Sequence, residues 1–180
     1  MHAARLHRPA VLLAIVVVGL GAPVTPAVSH PGRVSGQTVR RAALSPVRSL
    51  LGVINAVRAE HGLAPVRPQG QLRRAAEAHS ADMLARDYFL HESGAGGEPF
   101  NVRLARFLHR AASTRVGEIL YWGSGDLASP RAAVEGWLNS PPHRAILLSP
   151  TFSRVGIGRS VGAFQGARDA AVWTADFSSR

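Results

Sequence analysis

With no cysteine among its 180 residues, this chain must do any proton transfer near neutral pH, or any binding of a transition metal, largely through its eight histidines. A thiol nucleophile, a Cys-ligated zinc and an iron–sulfur centre are excluded at once. Two imidazoles are placed where chemistry is possible. His143 follows Pro141-Pro142 and precedes Arg144 and the apolar run Ile146-Leu147-Leu148. Each proline fixes its own φ and restricts the residue before it, so a rigid turn that presents the imidazole is expected. His91 ends the stretch "DYFLH" and precedes a glycine-rich loop, which should leave it partly exposed. His79 falls on the inward face of a predicted helix, where a hydrogen-bonded structural role is the simpler reading. His61 and His109 lie near predicted helix ends, where an imidazole can bond the last carbonyls. His30 lies in a polar tether.

Common catalytic signatures are missing. "HESGA" at His91-Glu92 begins like a zinc-binding helix, but Ala95 stands where the second histidine is required and glycines break the helix. "GSG" at Gly123–Gly125 does not have the spacing of a nucleophile elbow, and no phosphate-cradling glycine loop follows a strand.

The elements that must position these residues can be read from hydrophobic periodicity. Ser45-Pro46 is a helix cap with proline at the first helical position, and Val47, Leu50, Leu51, Ile54 and Val57 recur at helical steps until Gly62. "LAPVRPQG" is a turn-rich connector with Leu63 and Val66 inward. A second helix is predicted from about Gln71 to Arg86, its stripe formed by Leu72, Ala75, Ala76, His79 and Met83. Pro99 opens a third, with Phe100, Leu104, Phe107 and Leu108 on the inner side. "TRVGEILYW" reads as extended. Ser129-Pro130 repeats the cap, and Ala133, Val134, Trp137 and Leu138 form the stripe of a fourth helix. "SRVGIGRSV" and "AAVWTADF" read as two strands joined by the longer loop "GAFQGARD". Helices first and strands last give an α+β fold with an antiparallel sheet, in a single domain over residues 45–180.

Residues 1–29 have a basic start, a short apolar run and small residues for cleavage after Ala27 or Ser29, the layout of a secretory signal peptide. The run is short for a spanning helix, which needs about 20 residues. Residues 30–44 read as a flexible linker. The protein is therefore expected to be secreted, extracellular or associated with the cell envelope. Its formal charge of +10 is carried wholly by arginine, and loss of residues 1–29 removes only Arg5 and Arg8. Such a charge suits anionic cell-wall polymer or lipid head groups, although an all-arginine, alanine-rich composition also fits coding bias. Scattered arginines and few aromatics disfavour nucleic acid. Membrane contact is expected to be peripheral once the signal is removed.

Five segments in fixed order, "INAVRAEHGLAPV", "AAEAHSADMLARDYFLHES", "VGEILYW", "AVEGWLNSPPHRAILLSPTFSRVGIG" and "VWTADF", span roughly residues 50–177. Together they resemble the CAP superfamily (cysteine-rich secretory, antigen 5 and pathogenesis-related 1 proteins), and within it the cysteine-free bacterial branch. The resemblance implies a three-layer α-β-α sandwich with a central antiparallel sheet. It also implies a cleft of two histidines and two acids that in some members binds a divalent metal. By position, the first histidine falls on His91, the acid of the family's "G-E-N" segment on Glu118, and the second histidine on His143. Two positions depart from the pattern. Ile119 stands where the family has asparagine, and Ser140 stands where the second acid of eukaryotic members would be. Glu135 is not its equivalent and reads as a solvated helix charge.

A cleft of His91, Glu118 and His143 could form a three-ligand zinc or other divalent-cation site, or gain charge without metal as pH falls toward about 6. With no acid left over as general base, no catalytic residue is assigned. Three readings follow. The first is a non-enzymatic module that binds a lipid, a sterol or another envelope ligand. The second is a zinc-assisted hydrolase of peptide or cell-wall material. The third is a structural envelope protein adhering to anionic wall polymer.

Overall fold

Ser45 and Pro46 begin the first helix as the sequence predicts: the Ser45 side chain accepts from the Arg48 backbone N–H at 3.4 Å, and α1 runs Pro46–Glu60. A computed structural model describes residues 45–94, 97–108 and 114–180. The signal peptide read at 1–29, the linker read at 30–44 and His109 lie outside the described residues. The remaining elements are β1 (Arg67–Pro68), α2 (Gly70–Arg86), α3 (Phe100–Phe107), β2 (Val116–Ser124), a 3₁₀ turn (Gly125–Ala128), α4 (Pro130–Leu138), α5 (Pro141–Leu147), β3 (Arg154–Phe164) and β4 (Ala167–Ser178). No helix among the described residues is long and apolar enough to cross a membrane.

The sheet has the order β1-β3-β4-β2. β4 is central and antiparallel to both neighbours, and the two-residue β1 adds one parallel pairing to β3 that the sequence reading did not foresee. Alternation along the strands sorts side chains to two faces. Ile119, Val155, Ile157, Trp173, Ala175 and Phe177 pack with Leu50, Ile54, Trp137 and Leu147, so α1, α4 and α5 cover one face. Leu120 and Val172 meet Met83 on the other, where α2 lies and α3 packs beside it. The result is the three-layer α-β-α sandwich.

Two expectations are corrected. The strands extend further than anticipated, leaving only Gln165-Gly166 between β3 and β4, both with positive φ (49° and 82°), as a tight hairpin turn requires. Pro141-Pro142 does not simply make a turn: the prolines occupy the start of α5, where their missing N–H groups cost nothing.

The approach of α2 to the sheet is set by two glycines in β3. A Cβ on Gly156 would lie 2.0 Å from the backbone of Leu72, and one on Gly158 would lie 2.2 Å from that of Ala76. The helix backbone therefore rests directly on the strand, which brings His79 and Ser80 down onto the polar part of that face. Gly158→Ala is expected to cost about 3 kcal/mol by overpacking a rigid contact. Gly52→Ala, which meets open space on the exposed side of α1, is expected to gain about 0.5–1 kcal/mol. Urea denaturation of both variants checks the pair.

Candidate functional site

β2 is an edge strand, and the residues that could do chemistry gather along it. Glu118, 2% exposed, lies on the α2 face of β2. Its Oε1 accepts from His91 Nδ1 at 2.9 Å, and its Oε2 accepts from the Arg103 guanidinium. His79 Nε2 lies 4.0 Å from Oε1. An ionised carboxylate only accepts, so His91 carries a proton on Nδ1, and its Nε2 faces away from Glu118. The His143 ring, from the helical layer on the opposite face, lies 6.5 Å from that of His91, centroid to centroid.

Each group is held by identifiable contacts. The segment after α2 that carries His91 is fastened at three points. His79 Nε2 donates to the Leu90 carbonyl at 3.0 Å, the Gly94 N–H donates to the Tyr88 hydroxyl at 3.0 Å, and Arg103 donates to the His91 carbonyl at 2.9 Å. The same arm of Arg103 also reaches Ser93 Oγ at 2.7 Å. α5, which carries His143, is followed by a loop tied to α1 through Arg58. That buried guanidinium donates to the carbonyls of Ala64, Leu147, Ser149 and Phe152 at 2.8–3.2 Å. Burial lowers the Arg58 pKa from its ordinary value.

Opposite Glu118 in the β2–β4 register stands Asp176, wholly buried, with neither carboxyl oxygen reached by a conventional donor. Two carboxyl groups facing each other in a dry interior share a proton between them. Burial, the neighbouring Glu118 charge and the hydrogen bond to Glu118 hold the Asp176 carboxyl well above its ordinary range. Of the pair, Asp176 is the member pushed toward the neutral form. Burial alone would also raise Glu118, but the His91 hydrogen bond and the Arg103 charge outweigh it and the carboxyl is lowered. His79 and His143 are both lowered, chiefly by burial, His143 also by His91.

The resemblance implies a cleft that in some members binds a divalent metal, with His91, Glu118 and His143 as the candidate ligands here, and the geometry does not fit a three-ligand site on them. Both oxygens of Glu118 are engaged, one by His91 Nδ1 and one by the Arg103 guanidinium, so the carboxylate offers no free oxygen as a ligand. Among the described residues, no three His, Asp or Glu side chains are arranged to hold a metal ion. The sequence reading passed over Arg58, Arg103 and Asp176, while the hydrogen-bonded structural role it favoured for His79 agrees with the buried ring's bond to the Leu90 carbonyl. Both arginines sit on apolar helical stripes, Arg58 four residues after Ile54 and Arg103 three after Phe100. A charge at such a position signals a buried partner. Glu135 is exposed, as expected, and Ser140 lines a depression with His143.

That depression, of about 300 Å³, is bounded by Phe89, Leu120, Tyr121, Trp122, Gly136, Trp137, Ser140 and His143. Phe89 and Leu90 at this end of the molecule are 36% and 56% exposed.

The sequence model of the family described as "CAP: Cysteine-rich secretory protein family" matches residues 51–177. The "Uncharacterized protein YkwD" of Bacillus subtilis (strain 168) is 28% identical over 130 residues, which make up 72% of this chain and 46% of that protein. The chain thus spans less than half the length of the curated relatives it matches. Among solved structures, an outer surface protein from Borrelia burgdorferi has a TM-score of 0.62 at 19% identity, covering 75% of this chain and 92% of that one. An extracellular protein containing a SCP domain from Bacillus anthracis str. Ames has a TM-score of 0.57 at 25% identity, over 82% and 44% of the two chains.

Two outcomes follow from the buried charges. The Asp176 carboxyl is raised in the fold above its ordinary value of 3.8, so between the unfolded and the raised folded value the native state binds more protons than the unfolded chain, and stability falls as pH rises through that window. Asp176→Asn cannot ionise. It is expected to melt above the wild type at pH 7 and to lose that advantage as pH falls toward about 4, followed by circular dichroism across a pH series. Arg58→Met leaves several buried carbonyls without a donor and is expected to cost about 3 kcal/mol or more in urea denaturation.

Proposed function

The chain belongs to the cysteine-rich secretory protein (CAP) family, and on that footing we propose that it is an exported, non-enzymatic binding module. Its ligand is an amphiphile of the cell envelope, lipid or sterol in character, received at the β2 edge. The observation that carries this reading is the apolar depression beside the histidine pair. Aromatic side chains line it while His143 stands at its margin, so an apolar body can lie against the rings with its polar end at the imidazoles.

The charge arrangement supports binding over hydrolysis. Glu118 is committed to His91, Arg103 and Asp176, and a carboxylate so engaged is not available to activate water. Export agrees with the leader-like residues 1–29 and with neighbours whose names place them outside the cell or at its surface. The arginine-borne charge would add attraction to an anionic leaflet or wall polymer, weakening with salt.

Lipid extracted from the secreted protein and analysed by mass spectrometry tests the reading, together with co-sedimentation on vesicles of mixed anionic and neutral lipid. A defined lipid above background is expected. Phe89→Ser, at an exposed rim position, should weaken binding about tenfold through the apolar contact it removes. Background lipid only, with no vesicle association at physiological salt, would contradict the proposal.

A further inference from the structure

We propose that the outer edge of β3, together with the groove where α1 and α2 begin, is a docking site for an extended acidic segment of a partner protein, which joins the sheet as a further strand. This edge lies across the sheet from β2, so the inference stands whatever the β2 depression binds.

Two observations locate the site. The first is an incompletely covered edge. β1 pairs with β3 only at Arg154 and Val155, and the bond from the Gln69 N–H to the Val155 carbonyl, at 2.9 Å, is the last on that side among the described residues. Along a strand, alternate residues direct their N–H and C=O groups to the same side. Ile157, Arg159 and Val161 therefore turn theirs outward, and no strand among the described residues meets them there. The strand itself continues to Phe164, and Val161 is 50% exposed. The second is a groove of about 360 Å³ at the point where β1 stops, walled by Val47 and Leu51 of α1, Pro68 of β1 and Ile157 of β3. A strand laid along the edge would send a side chain level with Ile157 into this apolar space.

Charge selects the occupant. Arg48 and Arg73, both exposed, line the groove, and no acid does. Arg159 follows Ile157 on the same face of the sheet, its guanidinium 5.1 Å from the centre of the Trp173 ring. Arg73 is paired with Glu77, but neither Arg48 nor Arg159 has a carboxylate partner among the described residues, and Arg159 Nε is buried without an acceptor. Such an edge suits a segment in which an apolar residue is flanked, two positions away, by acids. The apolar side chain enters the groove and an acid lies across the new ladder from Arg159. The same charges disfavour two other occupants. Edge-to-edge pairing of two copies would set their arginines against each other, a common protection of exposed edges. Residues 30–44 carry Arg33, Arg40 and Arg41 and no acid, so that segment matches the rim in charge instead of complementing it.

The probe is the fluorescently labelled peptide Thr-Glu-Thr-Val-Thr-Glu-Thr, beside a counterpart with lysine in place of glutamate. Each is titrated with purified full-length protein and followed by anisotropy. Saturable binding of the glutamate peptide is expected, with the lysine peptide at least about tenfold weaker. Arg48→Glu reverses an exposed rim charge, and Val161→Pro removes one outward N–H at an edge position; each should weaken the glutamate peptide about tenfold. Circular dichroism establishes that the variants are folded, and should Val161→Pro fail to fold, Arg48→Glu decides alone. Absence of saturable binding to the wild type, equal binding of the two peptides, or undiminished binding by a folded variant would overturn the proposal. So would a dimer in sedimentation velocity that Val161→Pro dissociates, since a second copy would then occupy the edge.

Discussion

A carboxylate taken out of water must find its compensation within the protein, and much of this fold is arranged around doing so for Glu118. Arg103 supplies the opposite charge, His91 supplies an N–H, and Asp176 faces it across the β2–β4 ladder, pushed by burial and by Glu118 toward its neutral form. Each comes from a different part of the chain: α3, the segment after α2, and the last strand. Their convergence ties together one layer of helices and two neighbouring strands. It also decides the character of the cleft, because the charge that could otherwise do chemistry is neutralised from inside.

The packing makes that convergence possible. Gly156 and Gly158 let the α2 backbone rest on β3, so His79 reaches the Leu90 carbonyl and holds the His91 segment against Glu118. On the opposite face Arg58 gathers the carbonyls after α5, and Trp137 donates to the Leu120 carbonyl at 2.9 Å, which joins α4 to β2. His143 thus arrives at the edge strand from one layer and His91 from the other. The aromatic depression opens beside them because, among the described residues, no further strand pairs with β2 on its outer side.

The helices and strands were legible because their apolar residues repeat at the right period. The α2 stripe of Leu72, Ala75, Ala76, His79 and Met83 is buried throughout, and α1 starts at the Ser45-Pro46 signal. β1 was not legible: two residues carry no periodicity, and only pairing with β3 makes them a strand. Of the site, His91 and His143 could be selected from their local setting, whereas Glu118 required the family resemblance. Arg58, Arg103 and Asp176 escaped notice because a buried charge is sensible only beside partners distant in sequence. The stripe positions of the two arginines were the available clue. For Asp176 the clue was alternation with Val172 and Thr174 on a buried face.

The central claim is that Glu118 and Arg103 form one neutral, mutually dependent unit. A double-mutant cycle in urea denaturation tests it most directly, using Arg103→Met, Glu118→Gln and the combination. Each single change strands a buried partner and is expected to cost about 3–5 kcal/mol, while the double variant should lose clearly less than their sum, with a coupling of about 2 kcal/mol or more. Single costs that simply add, within about 0.5 kcal/mol, would show that the two side chains do not depend on each other and would contradict the account.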